Sequence, residues 1–476
     1  MDSVLIGFIC YLTIILIVGI YTSRKTKNLK DFALANNKLG PFVIAMSERA
    51  SGESAWLILG LPGAALMFGL LEIWTVIGCI LGIMLSWLIV AYPLRKATEK
   101  YNCITIPDFF EKKLNDRSGL IRSISAIIIT FFFTFYISAQ FLGAGKVLNV
   151  TFNISQINGM ILGALIIVFY TLMGGFLAVA WTDLLQGIIM FCTLIILPIV
   201  GYIELASVEQ TLNLDWSNLY GGQSGTAALA IAISGLSWGV GYMGQPHLLT
   251  RFMAINSARN ISISRKIAFT WAIPAFFGAM FIGIVGTSLI ETGLLNNGKN
   301  VISSISQISD PEKLMPIMAK NLLPEWIAGI VICGAIAAMM STADSQLLVS
   351  TTVLTQDITK KYFLSNINDN KLLTIGRVFT ILIGCVAFYM ALNSEDLVFE
   401  MVSYAWGGLG AAFGPPLLLT LWWKNIRKEG VLAGLISGTI FTIFPILSNI
   451  ITPRLSAFII SLLVVIIISK KFKEIK

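Results

Sequence analysis

Charge is what this chain has least of. Only 12% of its 476 residues are Asp, Glu, Lys or Arg, against about a quarter in an ordinary soluble protein. With 56% hydrophobic residues and a mean hydropathy of +0.82, the composition excludes a soluble globular domain and describes a polytopic membrane protein. Histidine is nearly absent, with His247 the single one, so imidazole clusters for zinc and histidine-based proton relays are excluded. Six cysteines (Cys10, Cys79, Cys103, Cys192, Cys333, Cys385) show no CxxC or Cys/His spacing, and neither a disulfide framework nor a metal centre is expected. Hydrolase-type Ser/His/Asp strings, phosphate-binding glycine loops and soluble catalytic domains are also missing, so an enzyme is not expected. The net charge of +8 comes from short clusters between apolar runs, which reads as membrane topology and not as a nucleic-acid-binding face.

What is present is a series of apolar runs. Those near 3–23, 41–68, 71–93, 121–148, 157–178, 184–204, 226–253, 268–291, 326–357, 374–392, 398–423, 430–449 and 452–470 are each long enough to cross a roughly 30 Å hydrocarbon core as helix. The expectation is thirteen spans in one transmembrane domain. The first carries Asp2 before it and basic residues after it, with no small-residue cleavage pattern, so it reads as a retained span and not as a signal peptide. Basic residues fall in alternate loops, within 24–38, 95–122, 251–266, 360–377, 424–428 and 470–476. The positive-inside rule then places the N-terminus outside and the C-terminus in the cytoplasm of a plasma membrane. The short turn expected at 179–183 is the weak place in that pattern, because it has no basic residue of its own.

Two runs are not plain helices. In 41–68 the charges Glu48, Arg49 and Glu53 stand at bilayer depth, where each costs on the order of 2.5 to 3.5 kcal/mol and marks a path for ion or solute more often than lipid-facing surface. Gly52, between Ser51 and Ser54, allows the helix to unwind there, which is tolerable only beside a cavity lined by protein or water. In 226–253 the string SGLSWGVGYMGQPH concentrates four glycines and a proline. The two irregular helices lie five spans apart, so 41–204 and 226–423 can form two five-helix units of opposite orientation with a site between them. On that division 3–23 is an extra N-terminal helix and 430–470 holds two C-terminal ones. Glycine used only for close helix packing is the alternative reading.

The segments ASGESAWLILGLPGA (50–64), FLAVAWTDLLQG (176–187), SWGVGYMGQPHLLTRFMA (237–254), AAMMSTADSQLLV (337–349) and SYAWGGLGAAFGPP (403–416) resemble the signature stretches of the sodium/solute symporter family, most closely its sodium/proline symporters. The resemblance runs in order over most of the chain. It implies a leucine-transporter-like fold and sodium-coupled uptake of a small solute by alternating access, with Na+ as coupling ion and no cofactor. Proline is the expected solute; another amino acid or sialic acid is the alternative, and an ion channel is the reading from a different class.

Sodium needs oxygen ligands, and 326–357 supplies them. Ser341 and Ser345 stack at i and i+4, with Thr342 and Asp344 in the same turn. By resemblance the sodium site comprises Ala50, Glu53, Ala338, Ser341 and Thr342. Back-bonding of the hydroxyls to their own helix is the plain alternative. Asp183 reads either as the N-cap of the sixth span or, by resemblance, as part of a second cation site with Asp344 and Ser345. Trp238 and Tyr242 share a face at i and i+4, with Pro246 four residues on. The resemblance implies that these three, with Ser54 and Tyr136, line the solute pocket, and Trp56 is counted with them. Aromatic faces suit a small ring and its ammonium group, although aromatics near interfaces also serve as belt residues. His247 is expected to be structural or gating.

At one position the chain departs from its resemblance. Familiar sodium/proline symporters carry an aspartate at the position of Gly52. Two readings stay open for Glu53: it supplies the missing negative charge for sodium, helped by Asp344, or it neutralises Arg49 four residues before it.

Overall fold

The computed structural model describes residues 3–23, 29–212, 214–296, 300–364, 367–445 and 452–474. Of the basic residues that set the expected topology, Arg24, Lys25, Lys27 and Lys476 lie outside the described residues, as do positions 446–449 of the expected 430–449 span. Apart from a two-residue antiparallel pairing of Leu295–Asn296 with Val301–Ile302, the described chain is helical. Nine stretches among the described residues are long and apolar enough to cross a membrane. Helices also cover the other expected ranges. Gln156–Met173 and Lys428–Ile443 are shorter, and Val398–Trp422 carries many small and polar residues. The count of thirteen is therefore not established, whereas the all-α membrane architecture is.

Both irregular helices are broken. The first runs Pro41–Gly52, leaves helical geometry at Glu53 (φ −110°, ψ 74°), and resumes through Trp56–Gly60 into Leu61–Phe68. The second runs Gly225–Leu236, passes through Trp238–Gly241 and the tight turn Tyr242–Gly244, extends at Gln245, and restarts at Pro246–Ala254. Proline at that restart needs no amide partner, which suits a first helical position.

The two breaks face each other in opposite directions. At one end Leu39 bridges Ile255, and Asn37 donates to the Met253 carbonyl at 2.7 Å, so the start of the first broken helix meets the end of the second. At the other end Trp74, just past the first, donates to the Leu219 carbonyl at 3.1 Å, just before the second. The helices are therefore antiparallel across the core. The second comes close to Ile73–Leu85 because side chains are missing there: a Cβ on Gly82 would come within 2.2 Å of the Gly239 carbonyl.

One boundary differs from expectation in a way that matters. The turn predicted at 179–183 lies instead at Gly174–Gly175, and a single helix runs Phe176–Ser207. The glycine pair breaks the chain five residues earlier than the apolar pattern suggests. Asp183 is consequently in the second turn of that helix and is not its N-cap.

Candidate functional site

The last turn of Pro41–Gly52, just before the break, is met by the helix Glu325–Thr352. Ser341 donates its hydroxyl to the Ala50 carbonyl at 2.9 Å and to the Ala338 carbonyl at 3.1 Å; Thr342 donates to the Ser51 carbonyl at 3.0 Å. All these residues are fully buried. Four of the five residues expected at the sodium site, Ala50, Ala338, Ser341 and Thr342, thus share one seam of oxygens between two helices. The hydroxyls cross to the other helix, which back-bonding alone would not do.

Glu53 sends its carboxylate elsewhere. It accepts from Arg49 at 2.8 Å and from the Tyr242 hydroxyl at 3.0 and 3.2 Å. Arg49 also donates through Nε to Glu48 at 2.6 Å, with a second, very short contact from Nη2, and Trp87 donates to Glu48 at 3.1 Å. The expected Arg49–Glu53 pair is therefore one edge of a larger buried cluster. A Cβ on Gly52 would lie 3.3 Å from Leu248 and 3.7 Å from Arg49 Nη2, so a side chain there would point toward this arginine.

A second cluster lies on the Ser47/Ser51 face of the same helix. Asp183 accepts from Ser47 at 2.6 Å, Ser51 at 3.1 Å and Arg251 at 3.0 Å. Arg251 further donates to Ser51 at 2.7 Å, to the His247 carbonyl at 2.8 Å and, very closely, to Ser345. Ser345 in turn donates to Asp344 at 3.2 Å. The expected trio Asp183, Asp344 and Ser345 is brought together, with a guanidinium among them. Arg251 was counted among the loop cations that set topology, yet it is completely buried; the restarted helix Pro246–Ala254 carries it back into the core. Asp183 Oδ1 and Asp344 Oδ2 are buried with no hydrogen-bond partner among the described residues, which is an acceptor surplus that a cation would satisfy.

The expected solute residues form an aromatic wall above these clusters. Trp56 stacks on Trp238 with centroids 4.8 Å apart, and Phe399 closes on both. Tyr242 packs edge-on against Trp406 at 4.6 Å, and Tyr136 approaches Ser54 to 3.3 Å through its hydroxyl. Pro246 stands apart, beside Thr105, Ile106 and Thr250. His247 is buried with its ring edge-on to Phe133 and Tyr136, consistent with a packing role. Sequence reasoning missed Trp406, Phe399 and Gln140, whose side chain accepts from the Ala55 amide at 3.1 Å and so holds the break open. Trp406 lies in the quoted segment SYAWGGLGAAFGPP, a signal that could have found it.

The two ends of the molecule differ. A cavity of about 620 Å³, lined by Gly60, Phe399, Tyr404, Glu312 and Arg454, reaches down to Phe399 at the aromatic wall. Glu312 accepts there from Lys146 at 2.5 Å and from the amides of Val398 and Phe399, fixing the helix end that carries Phe399. At the opposite, basic end ion pairs and hydrogen bonds tie the loops to the broken helices' neighbours, and a separate cavity of about 650 Å³ lies among Lys113, Asn115, Trp422 and Arg427. Arg122 pairs with Asp357 at 2.6 Å and Asp108 at 3.4 Å, Thr105 donates to Asp357 at 2.8 Å, and Arg95 caps the Ile255 carbonyl at 2.8 Å.

This fold, with two antiparallel broken helices and a buried oxygen seam between the first of them and Glu325–Thr352, is shared with solved cation-coupled secondary transporters. The chain superposes on a Na+-coupled sialic acid symporter in a substrate-bound outward-open state with a TM-score of 0.75 at 15% identity, covering 98% of each chain. It also superposes on MhsT in complex with L-phenylalanine at 0.56 and 14% identity, covering 90% of this chain and 97% of that one. The model of the sodium:solute symporter family matches residues 32–438, and the chain belongs to that family. It is 39% identical over 430 residues to the high-affinity proline transporter PutP of Bacillus subtilis, covering 89% of this chain and 88% of that one. With the sodium/proline symporter of Salmonella typhimurium the identity is 36% over 446 residues, covering 92% and 87%.

Proposed function

We propose that this protein is a symporter, not an enzyme, that couples Na+ entry to uptake of L-proline across the plasma membrane. The N-terminus is outside and the basic end faces the cytoplasm. The observation that carries the reading is the hydroxyl–carbonyl seam, where Ser341 and Thr342 reach across to the Ala50 and Ser51 carbonyls of an unwound helix. A hydroxyl that donates to a carbonyl still has lone pairs to offer, so an arriving Na+ replaces helix-to-helix hydrogen bonds with shared coordination and ties the two helices together. The carbonyls of Ala50 and Ala338 complete the set without any cofactor. Asp183, Asp344 and Ser345 form the second cation site. Ser54, Trp56, Tyr136, Trp238 and Tyr242 hold the solute, and Pro246 shapes the inner passage. That the substrate is proline is supported by the curated relatives, which are proline transporters in name.

Energetics are adequate. One Na+ moving down 100 mV gains about 2.3 kcal/mol, and a tenfold concentration ratio adds about 1.4 kcal/mol. The sum, about 3.7 kcal/mol, sustains a roughly 500-fold accumulation of a neutral zwitterion. The test is uptake by proteoliposomes across a panel of labelled solutes. Proline should accumulate electrogenically with inward Na+ and a negative interior, and leak away when both are dissipated. Equal uptake driven by a proton gradient in sodium-free buffer would refute the coupling.

A further inference from the structure

Glu53 stands where the polar cluster meets the aromatic wall. Its neighbour Ser54 meets Tyr136, its carboxylate receives the Tyr242 hydroxyl, and one helical turn before Tyr242 is Trp238, stacked on Trp56. Glu48, Arg49 and Glu53 are all essentially without solvent exposure. Two carboxylates there face one guanidinium, and buried charge that is not paired is costly. Arg49 is held twice by Glu48 but by a single contact to Glu53. The Glu53 contact is thus the one that can be exchanged while Arg49 stays neutralised.

A second polar atom points to a ligand at the same wall. The indole N–H of Trp56 is fully buried and has no acceptor among the described residues. Indole donates only, so it suits a carboxylate and not an amine. An acceptor with negative charge at Glu53 and an unused donor at Trp56, joined through the rings of Tyr242 and Trp238, match the two ends of an amino acid.

We infer that Glu53 receives the ammonium group of the zwitterionic solute and is a specificity-determining residue of the pocket. This inference rests on the solute pocket assigned in the proposed function. On binding, an ammonium N–H donates to the Glu53 carboxylate in place of Arg49 Nη1–H, and Arg49 remains on Glu48. No proton is transferred and no covalent bond changes. Tyr242 keeps the carboxylate oriented through both oxygens, which sets the amine against the aromatic faces. A Gln at 53 keeps the shape and loses the charge; Arg49 still has Glu48, so the fold survives.

The test uses the full-length protein in proteoliposomes at saturating Na+, with labelled proline challenged by unlabelled proline or by tetrahydrofuran-2-carboxylate, the ring acid with oxygen in place of nitrogen. Wild type should prefer proline by at least 100-fold. Glu53→Gln should weaken proline at least tenfold while leaving competition by the ring acid unchanged, so that discrimination shrinks by the same factor. Sodium binding measured without solute should not move. Should Glu53→Gln fail to reach the membrane, Glu53→Asp decides: it keeps the charge but withdraws it by one methylene, and proline should again weaken several-fold. Wild-type discrimination retained in the variant that folds overturns the inference while the symport reading stands. Absence of Na+-driven proline uptake in wild type sinks the symport reading and this inference with it.

Discussion

The first broken helix carries two buried charge clusters on different faces, and they have the same arithmetic. On one face Asp183 and Asp344 stand around Arg251; on the other Glu48 and Glu53 stand around Arg49. Each holds two carboxylates and one guanidinium, yet they are finished differently. The Arg251 cluster is built of short hydroxyls and leaves Asp183 Oδ1 and Asp344 Oδ2 without hydrogen-bond partners among the described residues. In the Arg49 cluster every carboxylate oxygen has a donor, and aromatic rings enclose it. Small oxygen ligands with unsatisfied lone pairs suit an inorganic cation. A carboxylate oriented by a tyrosine and walled by rings suits an organic ammonium. On the proposed assignment, one helix, by breaking at Glu53, would present an ion to one side and a solute to the other.

The largest effect expected from this contrast is on stability. Arg251 has one carboxylate within ion-pair distance, Asp183, whereas Arg49 has two. Asp183→Ala strands a buried guanidinium and should cost about 3–5 kcal/mol, read as a fall in the melting temperature of the purified protein. Adding Arg251→Gln should recover most of it. Glu53→Ala should cost clearly less, and an equal loss in both would break the comparison.

Next come the seam hydroxyls. Ser341→Ala and Thr342→Ala each remove one proposed ligand oxygen, so the Na+ concentration for half-maximal uptake should rise about tenfold, or about 1.4 kcal/mol. Protein level in the membrane should barely change. Thr342→Ser keeps the oxygen and should shift the constant less than threefold. Unchanged sodium dependence in both alanine variants would remove these hydroxyls from the site.

The smallest effect is expected at Tyr242→Phe. It deletes one hydroxyl that orients Glu53 but leaves the carboxylate and its charge in place, so the KM for proline should rise only several-fold with sodium binding unmoved. A change in the sodium constant larger than that in KM would merge the two clusters into one site.

Much of this was legible in the sequence, and the reasons are local. Gly52 between two serines marked the first break to within two residues, because a missing side chain next to hydroxyls leaves the helix little to lose by unwinding. That Ser341 and Thr342 face the first broken helix was readable because hydroxyls beside a carboxylate at bilayer depth need oxygen partners. The burial of Arg251 was not legible. Counting basic residues assigns an arginine near a span end to the water, and only the restart at Pro246 shows that its helix returns inward. Asp183 was misplaced for a related reason: the apolar run continues through Gly174–Gly175, so hydropathy set the turn too late. The contacts of Glu48 with Trp87 and of Glu53 with Tyr242 span 39 and 189 residues, a separation that no local pattern encodes.

The division of labour between the clusters is tested most directly by a crossed titration of Asp344→Asn and Glu53→Gln. Sodium binding to purified protein is measured without solute, and proline binding at saturating Na+, because the two ligands are reciprocally linked and each would otherwise report on the other. Asp344→Asn should weaken sodium at least tenfold and leave proline selectivity over the nitrogen-free ring acid intact. Glu53→Gln should do the reverse. If Glu53→Gln weakens sodium while Asp344→Asn leaves it unchanged, the carboxylate at the break serves the ion, and the assignment of the two faces is wrong.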